Sequence, residues 1–123
     1  MIIAVDFDGT CVTHEYPNVG RDIGAAPVLA KLVAKGHQLI LWTMRSGPEL
    51  ADAERWFADR GIPLLGVNEN PSQKEWTGSP KAYAQLYIDD AAFGAPLTRH
   101  PGDWASEERP YINWDVVEKA LLP

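Results

Sequence analysis

The sequence predicts an α/β fold built around a parallel sheet. Three observations carry this reading. There are four short, nearly continuous apolar runs, amphipathic helical patterns between runs, and glycine or proline punctuation at the joins. Short runs that are apolar throughout suit strands buried on both faces. Strands alternating with helices imply right-handed parallel crossovers. The 123 residues, 46% of them hydrophobic, suffice for one domain over 1–123 with its own core.

The elements follow in order. The first strand is residues 2–5, Ile-Ile-Ala-Val. A helix is expected over 25–35, where Val28, Leu29, Leu32 and Val33 share one stripe, and Gly36 ends it as a C′ glycine. The second strand is 38–42, Gln-Leu-Ile-Leu-Trp. A second helix over 48–60 aligns Leu50, Ala53, Trp56 and Phe57 and stops at Gly61. Its start, Ser46-Gly47-Pro48-Glu49, reads as a capping box with proline in the first turn. The third strand is 63–67 and the fourth 85–88. A last helix runs over 114–122, with Asn113 as N-cap and Asp115 in its first turn. Residues 68–80 and 91–110 are rich in proline, glycine and asparagine and read as long loops, which in a small domain are often functional.

Charge and cysteine content narrow the partners. A net charge of -6 gives no support for nucleic-acid binding, which draws on Lys and Arg against phosphates. Cys11 is the single cysteine, so no internal disulfide forms and a reducing, cytoplasmic setting fits. The N-terminal apolar run breaks at Asp6, too early for a signal peptide. No segment approaches the ~20 apolar residues of a membrane span.

Asp6 and Asp8 are the most informative residues. They end the first strand, spaced two apart, and are followed by Gly9 and Thr10. Carboxylates at i and i+2 of an extended chain face the same way and repel, so a compensating cation is expected. In parallel sheets, ligands bind beyond the carboxyl ends of the strands. Those ends carry Asp6, Asp8, Thr43, Asp89 and Asp90.

Read together, Asp-Phe-Asp-Gly-Thr at 6–10, Leu-Trp-Thr-Met-Arg at 41–45, Lys81 and Ile-Asp-Asp at 88–90 resemble the four signature motifs of the haloacid dehalogenase superfamily, in its order. The resemblance covers roughly residues 1–93. More narrowly, the chain resembles small phosphatase-like members in which a Leu-Trp-Thr-x-Arg strand precedes a Lys and an Ile-Asp-Asp. It implies a three-layer α/β/α, Rossmann-like fold with a central parallel sheet. It also implies a Mg²⁺-dependent phosphatase, with Asp6 as the nucleophile that forms an aspartyl-phosphate. Asp8 is then the general acid and base. Thr43 donates its hydroxyl to the phosphoryl group, and Lys81 neutralises charge, with Lys74 nearby as a competing choice. Mg²⁺ is held by Asp6, the Asp8 backbone carbonyl, Asp89 and Asp90, with the direct ligand of the last pair left open. Gly9, Thr10, Thr43, Arg45 and Lys81 face the substrate in this scheme. Arg45 either meets substrate or pairs with an acid such as Glu49.

An Asp at position 8 points within that superfamily to phosphatases and phosphomutases. Residues 11–24 and the stretch between Thr43 and Lys81 leave no room for a cap domain. The site is then open, or covered by loops or by a neighbouring subunit of a homo-oligomer. A phosphotransferase or mutase is the close alternative, disfavoured by the missing cap. A non-catalytic phosphate or metal sensor or scaffold is the other. The phosphorylated substrate is of unknown class. His14, Glu15 and Tyr16 either line the entrance or are solvated. His37 is structural, and His100 has no partner to name. Trp76 and Trp104 either wall a pocket or, as favoured, pin loops to the body. Trp42, Trp56 and Trp114 fit core faces, and Cys11 is a small buried residue.

Overall fold

Ile3, Ala4 and Val5 are fully buried because β1 (Ile2–Val5) lies in the interior of the sheet. A computed structural model describes residues 1–99 and 109–123. Parallel pairing joins β1 to β2 (Gln38–Leu41) on one side and to β4 (Leu86–Ile88) on the other. β3 (Gly66–Val67) pairs with β2, giving the order β3-β2-β1-β4. The register sets Val5 beside Leu41 and Ile88, so the three strands reach their carboxyl ends together.

The helices form where the apolar stripes require them. α1 (Ala25–Ala34) buries Val28, Leu29 and Leu32, and Gly36 follows at φ 94°, as a C′ glycine should. α2 (Gly47–Asp59) buries Ala53, Trp56 and Phe57. Phe7 meets Trp56 edge-on, with ring centroids 5.9 Å apart. The molecule is a three-layer α/β/α, Rossmann-like fold with a central parallel sheet.

Two local expectations need correction. Ser46 is the N-cap of α2, but its side chain makes no capping bond, so the expected capping box does not close. β3 is two residues rather than five. Pro63 has no N–H to donate, and the ladder begins only at Leu65, whose N–H reaches Leu39 O at 2.7 Å. Ahead of β4, residues 81–84 are irregular and are tied down by the buried Gln73 side chain, which bonds Ser79 O, Lys81 O and Tyr83 N.

The C-terminal part holds pairing that the sequence does not announce. Within the expected loop, β5 (Leu97–Thr98) pairs antiparallel with β6 (Tyr111–Ile112). α3 (Trp114–Leu121) follows, capped by Asn113, whose side chain accepts from the N–H groups of Asp115 and Val116. Trp114 is buried and its indole N–H donates to Thr10 O at 2.7 Å. His100 and Trp104 lie outside the described residues.

Candidate functional site

Phe7 O accepts from the N–H groups of Thr10 and Cys11, curling the chain just after β1. Gly9 makes the turn at φ 78°, and a Cβ there would lie 2.0 Å from His14 Nε2 and 2.5 Å from an Asp90 oxygen. Only glycine fits, on both backbone and packing grounds. The turn aims Asp6 and Asp8 into a cleft of about 530 Å³ at the carboxyl end of the sheet. Thr43, Asp89 and Asp90 join them from β2 and β4.

Asp6, Asp89 and Asp90 each offer an oxygen within 4.8 Å of the others. Burial, the Asp89 charge and the Asp90 hydrogen bond push the Asp6 carboxyl up to about 8. The Thr10 hydroxyl lies 3.0 Å from the Asp6 carboxylate and accepts the Asp90 N–H at 3.1 Å. Asp90 is further held by His14 Nε2 at 2.8 Å. Asp89 accepts the Ala91 N–H through one oxygen. Three hard oxygen donors that repel one another fit a divalent cation such as Mg²⁺.

Asp8 faces the cleft in a different state. Arg45 donates to both its oxygens, from Nε and Nη2, each at 2.8 Å. The remaining donors of Arg45 reach the carbonyls of Pro17, Asn18 and Glu49. Its guanidinium lies 5.0 Å from the Phe7 ring centroid and 5.2 Å from that of Tyr16, and the residue is 2% exposed. Hydrogen bonding to Asp8 raises the Arg45 pKa further. Of the two roles expected for Arg45, pairing prevails, with Asp8 rather than the Glu49 side chain as its acid.

Thr43 lines the cleft. Its hydroxyl accepts the Arg45 N–H at 3.1 Å, leaving its own proton free to point inward. Asn68, in the left-handed region at φ 53°, takes the Thr43 N–H on its side chain at 2.7 Å. Lys81 is not among the residues that line the cleft. Its ammonium lies 5.7 Å from the Tyr87 ring centroid, on a segment fixed by Gln73. Lys74 pairs with Glu69 instead.

His14 and Tyr16 line the cleft, as do Met44 and Arg109; Glu15 instead accepts from Thr13. Arg109 gives no signal in the sequence, since it follows every motif by some twenty residues. Asn68 was legible only as a loop residue, though asparagine's tolerance of positive φ is a usable hint. Trp76 stacks edge-on against Tyr83 and stays out of the cleft. His37 Nδ1 accepts from the N-terminal ammonium at 2.8 Å. Cys11 is fully buried, and burial and the charges of Asp6 and Asp8 push its thiol pKa up, so it is no nucleophile.

The fold and cleft define a class: a Rossmann-like domain with an acidic site beyond its strand ends. No family model and no curated protein matches the chain. The solved structure of a conserved protein from Bacteroides thetaiotaomicron is 33% identical, with a TM-score of 0.77, over 97% of this chain and 87% of that one. The chain belongs to the same family as that protein.

Proposed function

We propose that the protein is a Mg²⁺-dependent phosphomonoester hydrolase, working through a phosphorylated Asp6. The observation that carries this is the convergence of Asp6, Asp8, Thr43, Asp89 and Asp90, from three parallel strand ends, on one open cleft. The ordered resemblance of their motifs to the haloacid dehalogenase superfamily supports it.

Asp6, Asp89 and Asp90 would hold the cation, with Asp89 the freer ligand because His14 and Thr10 engage Asp90. When bound, Mg²⁺ neutralises charge as a Lewis acid. An Asp6 oxygen forms a bond to phosphorus as the bond to the leaving alcohol breaks. Thr43 donates its hydroxyl to a phosphoryl oxygen. Asp8 gives the alcohol its proton, then takes one from the water that releases phosphate. A carboxylate oxygen has two lone-pair sites, so Asp8 can bond Arg45 and still present one toward the cleft.

The Arg45 clamp on Asp8 favours a second reading, a non-catalytic metal- or phosphate-binding module. A phosphotransferase has less support, because the described residues include no cap domain to shield the site from water. We place the protein in the cytoplasm as a further part of the proposal; no helix among the described residues is long and apolar enough to cross a membrane.

The test is hydrolysis of sugar, nucleotide, phosphopeptide and lipid-precursor phosphates with Mg²⁺, using Asp6→Asn as the blank. Turnover by the wild type that vanishes in Asp6→Asn supports the hydrolase. Mg²⁺ binding with no turnover across the panel supports the binding module.

A further inference from the structure

We propose that Arg109 is the cation that binds the phosphoryl oxygens of the substrate, a role that rests on the phosphatase reading. Four carboxylates line the cleft, so an incoming phosphate dianion needs cationic donors besides a metal ion. The arginine nearest the strand ends cannot supply them. All five N–H donors of Arg45 are used: two on Asp8 and one each on the carbonyls of Pro17, Asn18 and Glu49, with a sixth position absent. His14 is engaged with Asp90, and Lys81 does not line the cleft.

Arg109 lines the same cleft, and among the described residues it has no hydrogen-bond or ion-pair partner. Its planar fork suits bidentate contact with two phosphoryl oxygens. The chain beside it is anchored to the catalytic turn. Ile112 N–H donates to Gly9 O at 3.0 Å, three residues on, and Tyr111 and Ile112 are buried in β6. Arg109 is thus an exposed arm on a fixed base, at the mouth of an acidic site.

The experiment is steady-state hydrolysis of para-nitrophenyl phosphate at saturating Mg²⁺ by the wild type, Arg109→Ala, Arg109→Lys and, as a control for lost surface charge, Arg55→Ala. Each is run at low and high salt, with thermal melts alongside. Loss of one charge-assisted contact should raise KM about tenfold in Arg109→Ala, with kcat little changed. Arg109→Lys should recover part of the loss, and the salt dependence of KM should flatten in Arg109→Ala. Arg55→Ala should match the wild type. An unchanged KM and salt response in Arg109→Ala, with the wild type active, overturns the role of Arg109 and leaves the hydrolase standing. An inactive wild type overturns both.

Discussion

Asp6 keeps its proton far above the ordinary carboxylate range because burial and the neighbouring acids make its charge costly. Its folded pKa of about 8 exceeds the ordinary value of 3.8, so between these values the native state holds more protons than the unfolded one. Stability of the metal-free protein should therefore fall as pH rises from about 4 to about 8, and Asp6→Asn should abolish much of that fall. Thermal melts of both proteins across this window check it; a wild-type profile as flat as the variant's would contradict it. Mg²⁺ binding should displace this proton and strengthen as pH rises through the same window. Arg45 presents the opposite case, a charge fully compensated where it is buried. Arg45→Ala strands the Asp8 carboxylate and three carbonyls, and should cost about 3 kcal/mol in urea unfolding. Arg45→Lys should recover little, since an ammonium cannot reproduce the fork.

At the scale of elements, helix ends give a paired test. Asn113 accepts two backbone N–H groups at the start of α3, whereas Ser46 makes no side-chain cap at the start of α2. Asn113→Ala should cost about 1 kcal/mol and Ser46→Ala clearly less, by urea unfolding. Equal costs would contradict the assigned capping. The elements were legible where local pattern decides them. β1 follows from four consecutive apolar residues, and α1 and α2 from stripes at the helical period closed by Gly36 and Gly61. β3 was overestimated because Pro63 and Leu64 are apolar without being paired. β5 and β6 were missed because each is two residues long, and their pairing joins segments thirteen or more residues apart. No local signal encodes such a contact.

The whole molecule explains which part of the site was readable. A parallel sheet collects its strand ends on one side, so Asp6, Thr43 and Asp89 meet wherever the order of elements is right. The partners of those residues were not readable. The Asp8–Arg45 clamp spans 37 positions and the His14–Asp90 contact 76, and neither spacing favours one acid over another. The Gln73 bond to the Lys81 carbonyl and the Lys81 ammonium over the Tyr87 ring are likewise contacts that no motif spacing announces. Among the described residues no folded cap stands over the cleft, and Arg109 is one of the side chains that line it. In the proposed reaction Asp6 carries the phosphoryl group. The most direct measurement is rapid acid quench of the wild type during turnover of a phosphate ester with Mg²⁺, followed by mass analysis of the N-terminal peptide. A phosphoryl adduct on Asp6, lost along with turnover in Asp6→Asn, is the predicted result. Full turnover by Asp6→Asn would contradict it.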